Sequence, residues 1–66
     1  MRIELNGAEH VLAPHQTAGG LLEELGLDRR AVVVEINRRV IRRDRLDEVI
    51  LHPGDQVEVV HFVGGG

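Results

Sequence analysis

The dipeptide Asn6-Gly7, set after a short alternating run, constrains this chain more than any other feature. Ile3 and Leu5 fall on one side of that run, and Arg2 and Glu4 on the other. This is the period-two pattern of a half-buried strand. Asn-Gly is the strongest short-range signal for a tight hairpin turn. The chain therefore opens as a β-hairpin, with a return strand at His10–Ala13 that Pro14 ends.

A single helix is predicted next, over residues 18–25. Thr17 is a good N-cap, because its hydroxyl can accept a bond from a free backbone N–H of the first turn. Leu21, Leu22 and Leu25 form the apolar stripe, and Gly26 suits the left-handed position that closes a helix. Gly19 and Gly20 weaken the first turn by about 1 kcal/mol each relative to Ala. Packing against a sheet must then hold the helix in place.

Ala31–Ile36 is rich in β-branched residues and reads as a strand; Asn37-Arg38 is a turn, and Val40–Arg42 a short return strand. Asp44–Leu51 is ambiguous, since Leu46, Val49 and Ile50 have helical spacing and allow one helical turn. His52-Pro53-Gly54-Asp55 is a clear turn. Gln56–Phe62 is the last strand, with Val57, Val59 and His61 facing one way and Glu58, Val60 and Phe62 the other. Hairpin, helix, hairpin, connector and strand make an α+β fold: a mixed four- to five-stranded sheet with one helix packed on one face. The expected organisation is one domain over residues 1–62 and a flexible glycine tail over residues 63–66.

The 66-residue length admits one domain with a thin core of Leu, Val and Ile, and no buried multi-residue active site. Hydrophobic residues make up 42% of the chain, enough to fold, and Phe62 is the sole aromatic residue. The chain contains no Ser, Cys, Lys or Tyr, and Thr17 carries its only side-chain hydroxyl. That removes nearly every residue used in covalent catalysis, so no intrinsic catalytic residue is expected. Without Cys there is no disulfide and no thiolate metal site. His10, His15, His52 and His61 lack the tight spacing of metal ligands and read as surface or satisfied side chains. No bound cofactor or metal is expected. Nothing resembles a signal peptide or a membrane span, so the expected location is cytoplasmic.

Net charge is −3, and every basic residue is Arg. Five of them, Arg38, Arg39, Arg42, Arg43 and Arg45, fall within eight residues. Such a cluster could bind phosphates. The acidic balance and the lack of stacking aromatics argue against nucleic acid. A solvated hairpin, pairing with Asp44, Asp47 and Glu48, is the favoured reading, with partner docking a middle option.

Two features carry function. Gly64-Gly65-Gly66 has no side chains and full backbone freedom, so it can thread a partner's narrow channel and deliver a terminal carboxylate. A carboxylate reacts with sulfur or an amine only after activation, for example as an acyl adenylate. A frayed terminus without a role is the plain alternative, but these glycines directly follow a strong strand. The second feature is a patch of Val33, Val60 and Phe62 on the sheet face opposite the helix, read as a partner-docking surface beside the tail. Scattered surface apolar residues are the bland alternative there.

The whole chain resembles the ThiS family of thiamine-biosynthesis sulfur carriers. The resemblance runs through Asn6-Gly7, the Thr17 cap and Leu21-Leu22-Glu23-Glu24-Leu25-Gly26-Leu27. It continues through Val34-Glu35-Ile36-Asn37 and Pro53-Gly54-Asp55-Gln56-Val57-Glu58-Val59-Val60 to Val63-Gly64-Gly65-Gly66. It implies a ubiquitin-like β-grasp fold and a carrier that is not itself an enzyme. A ThiF-like adenylating enzyme using ATP activates the carboxylate of Gly66, and a cysteine-desulfurase-type persulfide supplies sulfur. The resulting thiocarboxylate serves thiazole synthase, with Val63, Gly64 and Gly65 presenting it to partner active sites. Two departures are a third glycine in the tail, which makes Gly64 a spacer, and Gly19-Gly20 where a bulkier or acidic pair is expected. A carrier like the molybdopterin-synthase small subunit, and a ubiquitin-like protein modifier conjugated through Gly66, are the alternatives. A plain binding module of RNA type is a third.

Overall fold

The structure is a computed structural model that describes residues 1–62. It contains β1 (Arg2–Leu5), β2 (Ala8–Val11), α1 (Ala18–Glu24), β3 (Val32–Ile36), β4 (Arg39–Ile41) and β5 (Gln56–His61). Short 3-10 turns occupy Arg29–Ala31 and Arg43–Arg45. The five strands form one mixed sheet in the order β2-β1-β5-β3-β4. Strand β5 runs parallel to β1 and antiparallel to β3, and both hairpins are antiparallel. The helix packs on one face, as the α+β reading requires.

Both hairpins close through two consecutive positive-φ residues. These are Asn6 (48°) with Gly7 (82°), and Asn37 (52°) with Arg38 (70°). That is the type I′ geometry whose twist matches the flanking strands. A two-residue turn starts pairing at once, with Leu5 opposite Ala8 and Ile36 opposite Arg39. Hence β2 begins before His10, and β4 is Arg39–Ile41 rather than Val40–Arg42.

Thr17 caps α1, its Oγ1 accepting the Gly20 N–H at 3.0 Å. The helix ends at Glu24, one residue short of the expected Leu25, which instead closes it as C-cap, and Gly26 follows at φ 71°. Gly19 is buried, and its amide donates to the Leu46 carbonyl at 2.9 Å. A Cβ at Gly19 would collide with Asp47 Oδ1 and meet Arg29 Nη2 at 3.0 Å. The glycine that weakens the helix therefore admits the Arg29–Asp47 pair, joined by two bonds of 2.8 and 3.0 Å.

The core joins Ala18, Leu21 and Leu22 of α1 to Ile3, Val32, Val34, Ile36, Val57 and Val59 of the sheet. Leu46 and Leu51 close it from the connector. The allowed helical turn is a 3-10 turn over Arg43–Arg45 that runs on as a turn through Glu48, where the Glu48 N–H donates to the Arg45 carbonyl at 3.0 Å. Ile50 has left it and bridges to Thr17, so Leu46 and Leu51 are buried while Ile50 is 47% exposed.

Candidate functional site

Strand β5 leads to the tail, and its surroundings define the site. It is the central strand, hydrogen-bonded on both sides. Each hairpin asparagine adds a rung to it beyond the end of the neighbouring strand. Asn6 donates its amide to the Val57 carbonyl at 2.9 Å, and its Oδ1 accepts the Val59 N–H at 2.8 Å. Asn37 does the same on the other flank. Its amide donates to the Gln56 carbonyl at 2.8 Å, and its Oδ1 accepts the Gln56 N–H at 3.0 Å. Its Nδ2 also donates to Asp55 Oδ1 at 3.0 Å, tying in the turn that feeds β5. Past the strand, the Phe62 N–H donates to the Ala31 carbonyl at 2.9 Å. The chain is thus fixed in direction up to Phe62. Val63, Gly64, Gly65 and Gly66 lie outside the described residues.

The outer sheet face carries the expected apolar patch. Val33 and Val60 are directly opposed across β3 and β5. Val33 is half-buried, and Val60 and Phe62 are 54% and 59% exposed. The structure adds Val40, 65% exposed, which stands opposite Glu35 and so shares the outer face. Counting the Asn37-Arg38 turn as two residues would have placed it there. Glu35 and Glu58 oppose each other farther along the same face.

The arginine cluster borders this patch. Arg42 and Arg43 line a shallow groove with Val33, Val40 and Phe62, and Arg38 lines another with Glu35, Glu58 and Val60. Arg42 pairs with Asp44 at 3.3 Å and Arg45 with Glu48 at 2.9 Å. Asp47 does not join the cluster; it pairs with Arg29 across the start of α1. The bonds from Arg29 hold the Asp47 carboxyl below the ordinary aspartate value, and bonds from Arg30 do the same for Asp28. All these groups are solvated, so they modulate the surface rather than form a reactive centre.

The histidines split. His15, His52 and His61 are exposed. His10 is not satisfied: its Nε2 is buried without a hydrogen-bond partner, and Glu24 Oε1 stands 3.9 Å away. Among the described residues, no group of three or more His, Asp or Glu could hold a metal, and no helix is long and apolar enough to cross a membrane. The side chains gathered at the site are Val, Phe, Arg and Glu. They suit recognition of a protein surface and supply no nucleophile.

Comparison with known proteins agrees with the architecture. The ThiS family model matches residues 2–66. A thiazole synthase of Magnetococcus marinus is 46% identical over 66 residues, covering 100% of this chain but 20% of that protein. The chain thus spans about a fifth of that relative, and likewise 20% of a thiazole synthase of Paramagnetospirillum magneticum, at 38% identity. The sulfur carrier protein ThiS of Bacillus subtilis is 44% identical over 50 residues, 76% of each chain. The crystal structure of a thiamine biosynthesis protein (ThiS) from Geobacter metallireducens superposes with a TM-score of 0.86 at 32% identity, covering 100% of both chains.

Proposed function

Because the chain belongs to the ThiS family, we propose that it is a sulfur carrier of thiamine biosynthesis that works through Gly66. A ThiF-like enzyme adenylates the Gly66 carboxylate with ATP, releasing pyrophosphate. The terminal sulfur of a cysteine-desulfurase-type persulfide then attacks the acyl carbon and displaces AMP. A second thiol of the partner machinery cleaves the resulting acyl disulfide, leaving the thiocarboxylate on Gly66 and a disulfide on the partner. Thiazole synthase takes this sulfur into the thiazole ring, a cytoplasmic reaction in this reading. The chain contributes no acid, base, metal or cofactor, and ATP belongs to the activating partner. Residues 1–62 act as the folded head. Val63, Gly64 and Gly65 present the reactive end, and Val33, Val60 and Phe62 meet the partner surface.

One observation carries this reading. The family match continues through β5, a central strand clasped on both flanks, to the glycines that follow it. The glycines supply slenderness, and the clasp supplies a fixed direction of approach. Thiamine is favoured over molybdopterin by the family itself and by the thiazole synthases among the relatives.

The test is an intact mass after incubation with ATP, a persulfide donor and the activating enzyme. Replacement of one carboxylate oxygen by sulfur is expected. No change in mass with a competent enzyme would refute the carrier role. Deleting Gly65 and Gly66 should abolish the reaction and leave the unfolding transition where it was. The reading requires a free carboxylate on Gly66, which the intact mass of the natural polypeptide reads directly.

A further inference from the structure

The arginines in and around β4 have no part in the carrier chemistry. Residues 38–45 hold five arginines against one carboxylate, Asp44, a net charge of +4. The rest of the chain holds three arginines against ten carboxylates, a net −7. The molecule is therefore strongly polarised, with its excess positive charge on the segment that runs from the Asn37-Arg38 turn through β4 to the 3-10 turn at Arg43–Arg45. Charged side chains on an edge strand guard against edge-to-edge pairing, and that alone could account for one or two of them.

Two observations ask for more. The first is Arg38. Both hairpins use a type I′ turn, but the first places Gly7 at the second positive-φ position, whereas the second places Arg38 there, at 70°. That backbone region is strained for a side chain as bulky as Arg and free for Gly. The other non-glycine residues at positive φ among those described are Asn6, Asn37 and His15, types that visit this region more readily, so the strain retained at Arg38 points to a use for its side chain. The second observation is placement. Arg38 lies beside Val60, and Arg42 and Arg43 beside Val33, Val40 and Phe62, so guanidinium groups bracket the apolar patch from two sides. Among the described residues, Arg38 and Arg43 have no ion pair, and Arg42 has only an exposed one with Asp44. An apolar centre with a charged rim is the anatomy of a protein interface. The opposed Glu35 and Glu58 share this face and the groove that Arg38 lines, so a phosphate backbone laid across the face meets both glutamates, whereas discrete carboxylates need reach only the arginines at its border.

We propose that Arg38, Arg42 and Arg43 form a cationic rim that recognises carboxylates on the protein docked over Val33, Val40, Val60 and Phe62. The partner's identity, the activating enzyme, rests on the carrier reading; its chemistry, an acidic surface around an apolar centre, rests on the rim. Rim charges act on the encounter rate more than on the lifetime of the complex. The rim therefore speeds association and orients the head so that the end of β5 enters first.

The experiment measures association of the full chain with the activating enzyme by stopped flow at several salt concentrations. The parent is compared with R38G/R42A/R43A, with the triple Lys variant, and with R38G alone. At low salt the triple neutral variant should associate more slowly by a factor on the order of ten, with little change in dissociation. The gap should close at high salt, and the Lys variant should keep the parent rate. R38G alone should be at least as stable as the parent and yet associate more slowly, opposite signs that a structural role would not produce. Equal rates for all variants at low salt overturn the rim. Sulfur transfer read by intact mass at saturating enzyme then reports separately on the carrier reading. Arginine-dependent association without any mass change keeps the rim and refutes the carrier. No association by the parent overturns both. Arginine-dependent binding of an RNA oligonucleotide, with enzyme association indifferent to the arginines, overturns the acidic-protein assignment.

Discussion

The bond from the Val59 N–H to Asn6 Oδ1 gives the sharpest test of how the tail-bearing strand is held. Three substitutions separate its components. Asn6→Gly removes the acceptor but keeps a residue that accepts φ 48° freely. Asn6→Ala removes the acceptor and also places a Cβ in the left-handed region. Asn6→Asp keeps both an acceptor and a tolerance for that region. Val59 is 8% exposed, so its N–H has little access to water once the acceptor is gone. An unsatisfied buried donor costs about 1–3 kcal/mol, and the left-handed penalty for Ala adds about 1–2 kcal/mol. Asn6→Gly should therefore destabilise by about 2 kcal/mol, Asn6→Ala by about 3 kcal/mol, and Asn6→Asp by less than about 0.5 kcal/mol. A domain of this size has a total stability of only roughly 3–10 kcal/mol. The glycine variant should then melt roughly 10 °C lower. Urea unfolding measures the order, and hydrogen exchange at the Val59 amide measures the bond itself. If Asn6→Gly proves as mild as Asn6→Asp, or Val59 stays equally protected in it, the clasp does not stabilise β5.

Three further outcomes follow from named contacts. Gly19→Ala should fail to stabilise the parent despite better helix propensity, because its Cβ meets Asp47. In a D47A background the same change should stabilise, which paired urea titrations will read; equal effects in both backgrounds would sink the steric account. Asp47 and Asp28 should titrate below the ordinary 3.8 by NMR, and R29A should bring Asp47 back up. A carboxyl lowered in the folded state adds stability above its unfolded value and loses it as pH falls. These two contributions should therefore disappear in acid, below about pH 4. His10→Leu should raise the urea midpoint, by about 1 kcal/mol in stability, because it removes a buried ring nitrogen with no partner. An unchanged or lower midpoint would mean that the contact with Glu24 matters more.

Local chemistry was legible in the sequence, and distant contacts were not. Asn6-Gly7, the Thr17 cap and the closing Gly26 all behave as their residue types require. Alternation along β3 and β5 was enough to put Val33 and Val60 on the outer face, while Phe62 lies exposed just past the end of β5. Strand limits shifted by a residue or two, because a two-residue turn fixes the register more tightly than composition can. The pairing of Glu4 with Gln56 joins residues that no local pattern relates, so the central position of β5 could not be read. Gly19 looked like a weak helix position because its reason is Asp47, far along the chain. His10 fell on the core side of its strand, opposite the buried Ile3, but only the packed helix shows that its Nε2 has no partner.

The central place of β5 has a mechanical consequence. A pull on the chain beyond Phe62 is directed along the strand, while the antiparallel bonds to β3 lie across that direction. Those bonds, and the rungs from Asn6 and Asn37, are sheared together instead of opening one after another. An edge strand such as β2 or β4 has only one flank to resist with and would peel. Under the proposed carrier role, an enzyme that draws on the chain end thus tugs on the best-anchored strand of the fold.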